Sequence, residues 1–221
     1  MTTPSGKFLY TALGDSITEG YSAPRTRGYV NLLSYGLHKE HASFRLLNVS
    51  RKGWTSRRLL LRLARSPRLL QAVGQADLLT LWIGGNDLIF TYIKGMMSTT
   101  PYLYEQALTQ YSHHMDQIFA WIHWARSRPF LVCNLYNPFP NSGFARQWVG
   151  AFNQVLGGVC QGWGVPLVDI HSAFLGREAK LIHGYRNGTI SDIPLIGHRP
   201  VHPNRKGHEV IARTLWRVIH S

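Results

Sequence analysis

The sequence predicts an α/β fold in which one parallel sheet of five strands carries helices on both faces. Two observations lead there. Short apolar runs alternate with longer stretches of helical periodicity along the chain, the pattern that produces right-handed strand–helix–strand crossovers. The apolar runs also lack the polar alternation of a half-solvated strand, as strands covered on both faces do.

The first strand is expected over Phe8–Leu13, ending at the glycine of Gly14-Asp15-Ser16-Ile17-Thr18. A helical stretch near Tyr29–Glu40 leads to the second strand, Phe44–Val49. The next helical stretch, Thr55–Val73, interleaves Arg57, Arg58, Arg62, Arg65 and Arg68 with Leu59, Leu60, Leu61, Leu63, Leu69 and Leu70. That spacing predicts a crossover helix with leucines on the sheet and arginines in water, kinked or ended at Pro67. A nucleic-acid or membrane surface is the other reading of those arginines. The third strand is expected over Leu78–Ile83, with Asp77 before it as a cap or turn residue. Then follow a helix over Pro101–Ala125, a strand over Phe130–Leu135, a helix over Phe144–Gly162 and a strand over Pro166–Ile170. A last helix follows Pro203, a residue suited to a first helical turn. No repeat, low-complexity block or Pro/Gly/Ser-rich linker interrupts the pattern, so one domain over residues 1–221 is expected.

Composition narrows the class. The chain is 44% hydrophobic and 16% charged, which suits a packed core and excludes disorder. Its net charge is +13, from 24 Lys+Arg against 11 Asp+Glu; this speaks to solubility and attraction to anionic surfaces, not to fold. No apolar run reaches the roughly 18 residues of a membrane span. Met1 to Tyr10 has no charged flank, apolar stretch and small-residue cleavage site, so export by that route is not expected. The two cysteines, Cys133 and Cys160, make neither a disulfide framework nor a zinc site, and Cys133 reads as a small buried hydrophobe. A cytoplasmic location is the expectation.

In a parallel sheet every loop that follows a strand opens at the same edge, where open α/β folds bind ligands. Taken singly, the polar residues of those loops are unremarkable. Ser16 reads as a helix cap, Gly53 as a turn residue, Gly84-Gly85-Asn86-Asp87 as a tight turn and His202 as surface decoration. Together they form a chemically complete set. Acyl transfer needs a nucleophile, a base and donors for the oxyanion of a tetrahedral intermediate. Ser16 could supply the first and His202 the second. The amides of Ser16 and Gly53 with the Asn86 side chain could supply the third.

These residues resemble those of the SGNH hydrolases, the GDSL esterase/lipase family. The resemblance covers nearly the whole chain: Gly-Asp-Ser at 14–16, glycine at 53, Gly-Gly-Asn-Asp at 84–87 and His-Pro-Asn at 202–204. It implies a flavodoxin-like three-layer α/β/α fold, with Ser16 as nucleophile, Gly53 and Asn86 in the oxyanion hole and His202 as base. One position departs from the family pattern. Where an aspartate usually stands three residues before the histidine, this chain has Arg199. The third triad member is then absent or comes from elsewhere, with Asp192 the candidate. Arg199 is expected to face solvent, and a backbone carbonyl of residues 198–200 to orient the histidine ring. The Gly-x-Ser-x-Gly elbow of the α/β-hydrolases is missing, since Thr18 occupies the second glycine position.

The reading is a serine esterase for short- to medium-chain carboxylic esters, acting through an acyl-enzyme on Ser16. The same machinery would serve a carbohydrate deacetylase, a thioesterase or a lysophospholipase. The apolar stretch Phe90-Thr91-Tyr92-Ile93 with Met96-Met97 is a candidate loop forming an acyl-chain wall. No cofactor or metal is implied, because no His/Cys/Asp cluster has ligand spacing. The expected partner is a small-molecule ester. A basic nucleic-acid-binding module is the non-enzymatic alternative, although no nucleic-acid motif is present and no specific nucleic acid is expected.

Overall fold

Tyr10, Thr11, Ala12 and Leu13 are all buried, so the first strand is covered on both faces, as its unbroken apolar run demands. The computed structural model describes residues 7–24, 26–97, 100–194 and 199–221. In it the strands are β1 (Phe8–Gly14), β2 (Phe44–Ser50), β3 (Leu78–Trp82), β4 (Leu131–Cys133) and β5 (Leu167–Val168). They form one parallel sheet in the order β2-β1-β3-β4-β5. This is the flavodoxin-like order, with β1 at the point where the connections change direction. Gly14 pairs with Ser50 of β2 on one side and Trp82 of β3 on the other, so the chain leaves β1 directly into the crevice at that switch point.

β4 and β5 are shorter than their apolar runs. Beyond Cys133 the side chain of Asn153 takes over from a neighbouring strand: it accepts the Leu135 N–H at 2.7 Å and donates to the Leu135 carbonyl at 2.7 Å. Asp169 ends β5 by capping the short helix α8 (Ile170–Phe174), where it accepts the Ser172 N–H, and a single turn, α9 (Glu178–Leu181), follows. Cys133 and Cys160 are both buried and free.

The longer helices follow the predicted pattern: α2 (Tyr29–Glu40), α6 (Leu103–Ala125), α7 (Gly143–Trp163) and α10 (Arg205–Ile219). The arginine–leucine stretch is two helices, α3 (Ser56–Ala64) and α4 (Pro67–Gln75). Pro67 cannot donate the hydrogen bond an interior position needs, so it starts α4 under a Ser66 cap. Leu59, Leu60, Leu63, Leu69 and Leu70 are buried and the five arginines are exposed. Pro203, by contrast, lies outside α10: Asn204 is the cap, accepting the Gly207 N–H at 3.1 Å, while Pro203 bridges Ile182. One face of the sheet carries α2 and α10, packed together; the other carries α3, α4 and α7 around α6.

Two segments read as loops are helical. α1 (Ser16–Glu19) is a single turn, and α5 (Gly85–Met97) follows β3 at once. α5 has no fully buried residue. Its start, Gly84-Gly85-Asn86-Asp87, reads as a tight turn, which hides the helix in the sequence. Among the described residues no helix is long and apolar enough to cross a membrane.

Candidate active site

β1 must turn sharply to enter the crevice, and Gly14 permits it. A Cβ there would press into the Thr18 side chain and come within 2.6 Å of the Trp82 carbonyl oxygen. Asp15 then caps α1, its Oδ1 accepting the Ile17 N–H at 2.9 Å. That makes Ser16 the first residue of the turn rather than part of an open loop. Its Oγ lies 3.0 Å from His202 Nε2.

His202 is held by its backbone. The His183 N–H donates to its carbonyl at 2.8 Å, and the Tyr136 hydroxyl donates to the neighbouring Val201 carbonyl at 2.6 Å. The Tyr21 ring meets the imidazole edge-on at a centroid distance of 4.6 Å. A further chain runs from α10 back to α1. The Tyr29 N–H donates to His208 Nδ1, and the Tyr29 hydroxyl lies 2.9 Å from Thr18 Oγ1. Burial lowers the pKa of His208 to about 4, so it accepts that bond as a neutral ring near pH 7.

Gly53 has φ +79°, in the left-handed region that glycine adopts without a steric penalty. Its loop is tied to α5 twice. Asn86 donates from Nδ2 to the Trp54 carbonyl at 2.9 Å and lies 3.5 Å from Asp15 Oδ2. Next to it, Asp87 accepts the Ser56 N–H at 2.9 Å and the Ser56 hydroxyl at 2.5 Å. Because that hydroxyl has one proton, the His114 Nδ1 at 2.9 Å must be its donor, which fixes the tautomer of His114. Burial pushes Asp87 up to about 6 and Asp15 up to about 7, the Asp87 charge adding to the latter.

These side chains open onto a cavity of about 300 Å³ whose walls include Leu88, Ile89, Phe139, Phe144, Trp148 and Val149. Phe90 and Tyr92 of the predicted acyl wall do line it. Met96 and Met97 do not; they are exposed on α5.

The third-member candidate behaves differently. Asp192 ends a 3₁₀ turn (Ile190–Asp192), and its carboxylate accepts the backbone N–H groups of Asn187, Gly188 and Thr189 and the Asn187 side-chain amide. Both oxygens are engaged in building that turn. Arg199 also departs from expectation: it is half-buried and lines the cavity alongside His202. Of the carbonyl stretch expected to orient the ring, residue 198 lies outside the described residues. No group of three or more His, Cys, Asp or Glu that could hold a metal occurs among the described residues.

The model of the GDSL-like lipase/acylhydrolase family matches residues 12–210. The chain belongs to that family. It is a carboxylic ester hydrolase, as the chemistry of the family requires. The spore germination lipase LipC of Bacillus licheniformis is 26% identical over 213 residues, 93% of each chain. Among solved structures, a lipase from a goat rumen metagenome superposes with a TM-score of 0.79 at 23% identity, covering 96% of this chain and 97% of that one. The acetylxylan esterase Axe2 of Geobacillus stearothermophilus, as a catalytic variant, gives a TM-score of 0.71 at 19% identity, covering 99% and 96%. These two likenesses concern the fold.

For the hydrolase, Ser16, Gly53, Asn86 and His202 come from distant parts of the chain to one cavity. Sequence reading missed Tyr21, Lys52 and the Ser56–Asp87–His114 cluster. Asp87 stood in plain view within Gly-Gly-Asn-Asp. Tyr21 and Lys52 have no local pattern that sets them apart.

Proposed function

We propose that the hydrolase cleaves short- to medium-chain carboxylic esters through an acyl-enzyme on Ser16. The observation that carries this reading is the 3.0 Å approach of Ser16 Oγ to His202 Nε2 at the mouth of an apolar cavity. His202 accepts the hydroxyl proton as Ser16 attacks the ester carbonyl, then gives it to the departing alcohol. Water enters by the same route in reverse to release the acid. The developing oxyanion is met by the amides of Ser16 and Gly53 and by the Asn86 side chain, held in place beforehand so that little reorganisation is needed as charge appears. With the Asp192 carboxylate occupied in its own turn, Ser16 and His202 act as a dyad. A cavity of about 300 Å³ is at the small end for ligand pockets, which favours a modest acyl chain. That LipC is described as a lipase supports ester chemistry on lipid-like acyl groups.

The test is a panel of chromogenic esters of increasing acyl length with a fluorophosphonate probe. Hydrolysis that peaks at short to medium chains, with the probe bound to Ser16, supports the proposal. Labelling of another serine, or no hydrolysis of any ester by folded protein, rejects it.

A further inference from the structure

The cavity has two faces of opposite character. Its acyl-facing walls are aliphatic and aromatic, whereas Lys52 and Arg199 also line it. Both cations belong to the His202 flank. The Lys52 ammonium sits 4.0 Å from the centre of the Tyr21 ring, and that ring meets His202 at 4.6 Å. Arg199 precedes His202 by three residues and borders the same space. The Glu19 carboxylate accepts the Lys52 backbone N–H at 2.7 Å, while the ammonium lies over the Tyr21 ring. Neither Lys52 nor Arg199 makes an ion pair among the described residues. Asp15, the one acid among the described lining residues, is buried at the turn and engaged by Ile17.

The direction of the reaction gives this asymmetry a meaning. The imidazole that protonates the departing oxygen must stand on the leaving-group side of the scissile bond. The alcohol therefore leaves on the His202 side of the cavity, which Lys52 and Arg199 also line. Resting on the esterase reading above, we infer that Lys52 and Arg199 form a subsite for an anionic group, phosphate or carboxylate, on the alcohol portion of the substrate. A substrate with an apolar acyl chain and an anionic alcohol would fill both halves. It also gives a role toward the substrate to the arginine at the position where the family's aspartate would stand, since Arg199 lines the cavity.

The test uses three soluble esters of similar acyl length: one with a phosphate or carboxylate on the alcohol, its neutral hydroxyl counterpart, and one with a carboxylate at the far end of the acyl chain. Wild-type protein should favour the first over the second by about tenfold or more in kcat/KM, through KM, and that preference should shrink with salt. In Lys52→Gln/Arg199→Gln, shown folded by its melting curve, the ratio should fall close to one. Arg199→Lys, which keeps the charge, should retain part of the preference. A wild-type ratio near one, a ratio unchanged in the folded double variant, or a preference for the acyl-side carboxylate each overturns the subsite. Failure to cleave all three esters is a separate result, which overturns the esterase reading itself.

Discussion

Ser16 has 4% of its surface exposed, yet its hydroxyl meets no packing demand that a methyl group could not satisfy, since its polar contact is with His202. Ser16→Ala is therefore expected to abolish turnover and fluorophosphonate labelling while moving the melting temperature little. Only the residual rate from binding and the oxyanion donors should remain, on the order of 10³-fold over water. Full activity in the folded variant would remove Ser16 from the mechanism. Asp192 leads to the opposite expectation. Its carboxylate accepts bonds from residues 187–189, and an amide at that place can accept from only one end. Asp192→Asn should lower the melting temperature and cost less than about tenfold in kcat. A true triad aspartate would cost roughly 10⁴-fold. A loss of about a thousandfold in folded protein would restore Asp192 as the third member.

At the scale of elements, the site depends on two segments being kept in register: the loop after β2, which carries Gly53, and the first turn of α5, which carries Asn86. Two fastenings join them, Asn86 to the Trp54 carbonyl and Asp87 to Ser56. Asn86→Ala removes both a proposed oxyanion donor and one fastening. We expect kcat to fall by about 10²–10³-fold with a smaller change in KM, because the donor matters most where charge develops. An early-melting variant with normal turnover would instead mark Asn86 as a turn residue only. Asp87 does not line the cavity and acts through position. Ser56→Ala keeps the Ser56 N–H bond to Asp87 and loses the hydroxyl bond, so kcat should fall by less than in Asn86→Ala with KM nearly constant. A change confined to stability would assign the Ser56–Asp87–His114 cluster to folding alone.

Across the whole molecule, buried ionisable groups set opposing pH dependences. Asp15 is raised from 3.8 to about 7 by burial, so the folded chain keeps a proton that the unfolded chain releases. Its contribution to stability is fully present below about pH 4 and is lost as pH rises to about 7. His208 is lowered from 6.5 to about 4; the folded chain excludes a proton the unfolded chain takes up, and stability is lost as pH falls from about 6.5 to 4. Asp15→Asn isolates the first effect. Relative to wild type its unfolding free energy should climb from pH 4 to 7 and level off above, with a slope of at most about 1.4 kcal/mol per pH unit. A difference that stays flat across that window would mean that Asp15 is ionised in the folded protein. The charge of +13 acts outside the chemical step. For a neutral ester, kcat should be unchanged between low and moderate salt, and a large salt effect would mean that charge is built into the reacting centre.

The layers, the strand alternation and the motif residues were legible in the amino-acid order, because each is written in local periodicity or in a short contiguous motif. Leucines at helical spacing are buried in the core, the central strands β1 and β3 are covered on both faces as expected, and Gly14-Asp15-Ser16 follows β1 whatever packs around it; β2 and β5, at the sheet edges, are only partly covered. Tertiary structure alone decided the rest. α5 is helical although its start reads as a turn, since Asn86 and Asp87 meet the Trp54 carbonyl and Ser56 from a distant part of the chain. Asn153 ended β4 from another helix, a contact across 18 residues. Arg199 could be read as a missing aspartate but not placed, because its place on the cavity wall is a matter of tertiary contact. Asp192 is a candidate partner for His202 by distance along the chain, yet in the fold the amides of residues 187–189 claim its carboxylate. Local physics sets which groups a segment can offer. Which partner each group meets is settled only when distant segments compete for it in three dimensions.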